Sequence, residues 1–196
     1  RDMDGIVVFI YSNINREVLD QMPNLKFITT MSTGFDHIDI EECKRRNILV
    51  STVPTYGENT VAEHAFALIF TISRRIIESY ERVRERNFSP VGLTGFDLFG
   101  KTLGVIGVGN IGSHVIRIAK GIGMDVIAHK RTPDPKLAAD LGFRFVTIDE
   151  LFARSDIITV HVPYNKETHH MLNSDAFAKM KNGVVVINTA RGAIID

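Results

Sequence analysis

Short apolar runs alternate along the chain with amphipathic stretches. IVVFI (6–10), LKFITT (25–30) and ILVST (48–52) read as strands with short helical segments between them. From Thr60 the apolar positions are 61, 62, 65, 66, 69, 70, 72, 76, 77, 80 and 83, a helical stripe that becomes more charged after Arg74. Thr60 and Glu63 have the spacing of a capping box, so the pattern predicts one long helix over 60–87. Such a helix either bridges two domains, forms a subunit contact or is simply buried. Beyond Lys101 the alternation becomes regular. LGVIGVG (103–109), DVIAH (125–129), FRFV (143–146), DIITVHV (156–162) and GVVVINTA (183–190) read as strands. Helices are predicted over 111–122, 136–141 and 174–180, with another opened by a Thr147–Glu150 capping box. The longer of these strands are apolar on both faces, as central strands of a parallel sheet are. The alternation implies an α/β fold with helices on the faces of a parallel sheet.

Composition narrows this picture only a little. Acidic and basic residues balance, 23 against 23, so charge points to neither nucleic acid nor an anionic membrane. No apolar run approaches the ~18 residues of a membrane span, and no signal peptide is evident. The single cysteine, Cys43, allows no internal disulfide, and a reducing cytoplasm is the expected location. Arg1 stands directly before a strand-like run and Asp196 directly after one, so both ends are expected to be cut from a larger protein.

Gly107-Val108-Gly109-Asn110-Ile111-Gly112 has the form G-x-G-x-x-G between a strand and a helix. The first glycine allows a tight turn, the second lets a pyrophosphate approach the backbone, and the third lets helix and sheet pack closely. Free amides at the helix start then face the phosphates. In this context the motif predicts a Rossmann-like, doubly wound dinucleotide site. An acid that holds the adenosine ribose is expected at the tip of the next strand. The chain offers His129, Lys130 and Arg131 instead, with Lys130 placed 18 residues beyond Gly112. Cations there suit the 2′-phosphate of NADP over NAD. The alternative is a solvated turn that leaves NAD acceptable.

LGVIGVGNIG, HVPYNKETHHML and INTARG, with MSTGFDHID and VPTYGENTVAEHAFAL before them, together resemble the D-isomer-specific 2-hydroxyacid dehydrogenases over essentially the whole chain. The resemblance implies residues 1–54 as part of a flavodoxin-like substrate domain. It implies 55–196 as an incomplete NAD(P)-binding domain that includes the connecting helix 60–87. Arg191 matches the arginine that clamps the substrate carboxylate and keto oxygen. Taken alone, an arginine after a strand would read as a surface salt-bridge former. Thr33 and Gly34 resemble the carboxylate-binding loop, and Tyr56 a pocket-lining position. Asn110 and Ile111 match residues over the pyrophosphate. Val162, Pro163, Thr168, Thr189 and Ala190 match the nicotinamide side. The implied reaction is hydride transfer between NAD(P)H and a 2-keto acid of lactate, glyoxylate/hydroxypyruvate or phosphoglycerate type. The implied assembly is a homodimer through 60–87.

The family's acid/base His and its partner Glu come later than Asp196, so this chain is expected to be impaired by itself. None of the seven histidines is a replacement. His169 and His170 are adjacent, are expected to face different ways, and make a poor metal pair; no metal site is expected. A corepressor-like dinucleotide sensor of the same fold is the alternative function, distinguished by ligand-dependent dimerisation without turnover. A methyltransferase using the same glycine motif fits NTARG and HVPYNKET poorly.

Overall fold

The computed structural model describes residues 2–196; Arg1, where the expected 1–54 domain begins, lies outside the described residues. Contacts divide the chain into two units, one ending at Gly57 and the other spanning Glu58–Asp196.

The first unit contains β1 (Gly5–Val8), α1 (Arg16–Asp20), β2 (Phe27–Thr30), α2 (Ile40–Arg45) and β3 (Leu49–Ser51). Its strands pair in parallel in the order β1-β2-β3. Asn15 and Asp39 start the two helices by accepting from the amides of Val18 and Glu42, each at 3.0 Å. Successive strand residues face opposite sides. Val8 and Ile28 point into a core with Leu19, Ile38 and Cys43. Val7, Phe27 and Leu49 point outward and are exposed. Glu42 is buried and receives Arg45 Nε at 2.8 Å and Arg46 Nε at 2.8 Å. These guanidinium bonds, Arg45 first, hold its carboxyl down at about 2.

The second unit opens with α3 (Glu58–Ser73) and α4 (Ile76–Arg84). Next come β4 (Thr102–Ile106), α5 (Asn110–Ile122), β5 (Asp125–His129), α6 (Pro135–Leu141), β6 (Arg144–Phe145) and α7 (Ile148–Arg154). The rest is β7 (Ile157–Val160), α8 (Ser174–Ala178), β8 (Val185–Asn188) and a 3-10 turn at Gly192–Ile194. All five strands are parallel, in the order β6-β5-β4-β7-β8. On one face, Ala62, Phe66 and Ile69 of α3 and Val115, Ile116 and Ala119 of α5 cover Leu103, Val105 and Val126. On the other, Leu151 and Phe152 of α7 and Ala176 of α8 cover Ile106, Ile127 and Ile158. The sheet is therefore doubly wound, with chain crossing away from β4 in both directions.

One predicted element is corrected. The helix expected over 60–87 is two helices. It starts at Glu58, so Thr60 and Glu63 lie inside it and form no capping box. It breaks after Ser73, whose carbonyl accepts from the Phe96 amide at 2.9 Å. The passing chain is so close that a β-carbon on Gly95 would lie 1.9 Å from that oxygen. The carbonyl is drawn out of the helical ladder, and Arg75 restarts the chain in the left-handed region at φ 54. None of the α4 residues is buried, and Ile76, Ile77, Tyr80 and Val83 are all exposed. At the Thr147 cap, Thr147 accepts from the Glu150 amide at 3.2 Å, while the Glu150 carboxylate pairs with Arg154 at 2.6 Å instead of reaching back.

Candidate functional site

The strand registers collect the candidate residues along one edge of the second unit's sheet. Ile106 pairs with His129 and Val160, and Val160 pairs with Asn188. The segments beyond these four residues emerge at the carboxyl ends of the strands, where open α/β sheets bind ligands. The glycine turn comes after Ile106, the cationic stretch begins at His129, the HVP loop comes after Val160, and NTARG begins at Asn188.

The three glycines differ in kind. Gly107 has φ 95, and a β-carbon there would lie 2.6 Å from the His161 carbonyl oxygen and 2.8 Å from a Val162 methyl. At Gly112 a β-carbon would lie 2.2 Å from the Gly107 carbonyl oxygen, so helix and turn touch there. Gly109, the N-cap of α5, has φ −98 and nothing within 4 Å of where its β-carbon would be. Packing within the protein does not require glycine at 109, so the position is open to a ligand. No side chain caps α5, and its first turn carries no acid. Its leading amides are therefore available to a phosphate. Asn110 at the helix start donates Nδ2 to Glu58 Oε1 at 3.2 Å, and Ile111 packs on the core. These residues fit a dinucleotide.

At the tip of β5, His129 Nδ1 donates to the Val146 carbonyl at 3.1 Å and is turned onto the sheet edge. Lys130 is half-buried, and Arg131 is exposed with its guanidinium 3.1 Å from Glu167. Glu167 sits in the HVP loop, which is fastened internally. Thr168 Oγ1 donates to the Pro163 carbonyl at 2.7 Å, and Asn165 Oδ1 accepts from the amides of Glu167 and Thr168 at 2.8 and 3.1 Å. The Thr168 hydroxyl is thus engaged in shaping the loop. Val162 lies against Gly107, and Pro163 is exposed.

After β8, Asn188 organises the turn that carries Arg191. Its Oδ1 accepts from the Ala190 amide at 3.0 Å and its Nδ2 donates to the Arg191 carbonyl at 2.8 Å. Sequence reasoning passed over Asn188; an amide ending an apolar strand was the available signal. The exposed Arg191 donates Nη1 to the Ala190 carbonyl at 3.0 Å. Thr189 and Ala190 are half-buried. The Thr189 hydroxyl oxygen is buried and has no hydrogen-bond partner among the described residues. Such a group costs about 1–3 kcal/mol until something meets it, and a bound polar ligand would.

In the first unit, the exposed Thr33 donates Oγ1 to the Val53 carbonyl at 2.8 Å. Ser32 ties the loop by donating to the Gly34 carbonyl at 2.7 Å. Tyr56 is exposed.

Two histidine positions stand out. His161 Nε2 lies 2.8 Å from Thr159 Oγ1, and burial pushes its imidazole down to about 4. His169 and His170 do not face different ways, as adjacency predicted. Their rings stack with centroids 3.8 Å apart, because His170 takes a left-handed φ of 50 that folds its side chain back beside its neighbour. Tyr164 Oη lies 3.2 Å from His169 Nδ1, and Asp196 lies 3.3 Å from His170 Nδ1. Among the described residues no group of three or more His, Cys, Asp or Glu could hold a metal ion.

The sequence profile described as "D-isomer specific 2-hydroxyacid dehydrogenase, NAD binding domain" matches residues 66–196. The chain belongs to that family. Among relatives, a 2-hydroxyacid dehydrogenase homolog of Haemophilus influenzae is 43% identical over 193 residues, covering 97% of this chain and 58% of the relative. The D-lactate dehydrogenase of Escherichia coli is 42% identical over 196 residues, covering 98% and 59%. The D-lactate dehydrogenase of Aquifex aeolicus, solved in complex with NAD and lactic acid, superposes with a TM-score of 0.94 at 44% identity, covering 98% of this chain and 58% of that one. The chain thus spans under two thirds of the length of these dehydrogenases. Within the family's NAD-binding domain, the glycine turn, the HVP loop and NTARG all lie inside the matched segment.

Proposed function

We propose that the protein interconverts a 2-keto acid and the D-2-hydroxy acid using a nicotinamide dinucleotide. The observation that carries this reading is the open position at Gly109 between two glycines that packing demands, on the sheet edge that also presents Arg191. Gly107, Gly109, Asn110, Ile111 and Gly112 would cradle the pyrophosphate. Val162, Pro163, Thr168, Thr189 and Ala190 would line the nicotinamide side, with Thr189 gaining the partner its hydroxyl lacks. The bound cofactor supplies a hydride from C4 of its nicotinamide. Arg191 would hold the substrate carboxylate and steady the charge that grows on the keto oxygen. Thr33, Gly34 and Tyr56 would serve the substrate as residues of a partial substrate domain. The acid/base that the family uses is not among the residues carried over onto this chain.

The family's dinucleotide is NAD; the cations Lys130 and Arg131, beside His129, support NADP as the preferred form here. Substrates of lactate, glyoxylate/hydroxypyruvate or phosphoglycerate type fit the relatives' names equally. The exposed apolar stripe of α4 supports a homodimer contact, and the cytoplasm is the proposed location. The test is a steady-state assay of the protein with pyruvate, glyoxylate and hydroxypyruvate, each with NADH and NADPH, following loss of nicotinamide absorbance. Turnover that Arg191→Ala removes supports the reading; binding of neither NADH nor NADPH, followed by nicotinamide fluorescence, overturns it.

A further inference from the structure

The tip of β5 lacks the carboxylate that usually holds the adenosine ribose, yet a carboxylate is present. Glu167 reaches Arg131 at 3.1 Å from 36 residues further along the chain. Its approach is set by the turn that carries it. Asn165 Oδ1 fixes the Glu167 amide at 2.8 Å, and the Asn165 carbonyl accepts from His169 at 2.9 Å. Both partners of the pair are well exposed, 84% for Arg131 and 70% for Glu167. An exposed pair adds little to stability, so its consequence is local: it sets the charge at the place where the ribose would lie.

We propose that Glu167 is a specificity-determining residue, a carboxylate supplied from the HVP loop that offsets part of the cationic strand tip and so limits the NADP preference that Lys130 and Arg131 support. This rests on the reading of that tip as the ribose site. With Glu167 in place, Arg131 is paired with a carboxylate. A 2′-hydroxyl finds an acceptor there, whereas a 2′-phosphate meets a like charge and must compete with it for Arg131. Without the carboxylate, Arg131 becomes available to a phosphate beside Lys130.

The experiment is fluorescence titration of the protein and of its Glu167→Gln variant with NADH and with NADPH, alongside melting curves. The ratio of NADPH to NADH affinity is expected to rise about fivefold in the variant, the scale of one exposed ion pair. It should rise further in Glu167→Lys. The gain should vanish when Arg131→Ser is added, and shrink in high salt. A ratio that stays put or moves toward NADH while both cofactors bind overturns the role of Glu167 and leaves the dinucleotide site standing. If the unsubstituted protein binds neither nucleotide, the site itself is misread and this role falls with it.

Discussion

Gly112 stands against Gly107: a β-carbon on the first would lie 2.2 Å from the carbonyl oxygen of the second. Within the same turn, a β-carbon on Gly109 would meet nothing within 4 Å. Gly112→Ala should therefore destabilise the fold by about 3 kcal/mol through overpacking. Gly109→Ala should leave the melting temperature nearly unchanged, since φ −98 suits alanine, and should weaken dinucleotide binding at least about tenfold. Thermal melts and cofactor titrations of the two variants separate the outcomes. Cofactor binding that survives Gly109→Ala would show that no pyrophosphate passes there.

Arg191→Lys keeps the charge and removes the planar fork. It should lower kcat/KM for the keto acid by about 100-fold, the scale of one lost donor to a developing oxyanion. Asn188→Ala loosens the turn below Arg191 by removing two hydrogen bonds. Its expected signature is a higher KM for the keto acid with dinucleotide affinity held within about twofold, and a loss of about 1–3 kcal/mol in stability.

His161 sets an acid limit for the second unit. Its folded pKa of about 4 lies below the ordinary 6.5 because burial disfavours the charged ring. The unfolded chain takes up the proton first, so stability falls as pH drops from 6.5 towards 4. The full loss is on the order of 3 kcal/mol. Denaturant titrations across that window should show the slope, and His161→Asn should flatten it. Glu42 in the first unit acts in a lower window, because stability present above its ordinary 4.5 is lost as pH falls towards 2.

The stripe Ile76, Ile77, Tyr80 and Val83 on α4 is exposed, so substituting it should barely change stability, within about 0.5 kcal/mol. Ile77→Glu with Tyr80→Asp should turn a dimer into a monomer in light scattering. An unchanged molar mass, or a monomeric parent protein, would remove α4 as the contact.

Most of the sheet was legible because its strands are dense apolar runs between glycines and helix caps. DVIAH proved to be β5 residue for residue. The break at Arg74–Arg75 was not legible. The apolar stripe runs through it with little interruption, and its cause is the amide of Phe96, more than twenty residues away. The glycine turn, the cationic strand tip and NTARG stand out as candidates because each is local in sequence. Glu167 and Asn188 could not be read the same way. One pairs with a residue 36 positions away, and the other bonds to backbone atoms whose positions a sequence does not display.

The stacked His169 and His170 rings give this protein an intrinsic reporter. Aromatic rings held 3.8 Å apart shield each other's protons, so both imidazoles should resonate upfield of ordinary histidine positions. The His169 amide donates to the Asn165 carbonyl at 2.9 Å, in the same turn whose Asn165 side chain fixes the Glu167 amide. A ligand that moves this loop should therefore shift both imidazole signals. The proton spectrum would then track the loop without a label, a probe or a substitution.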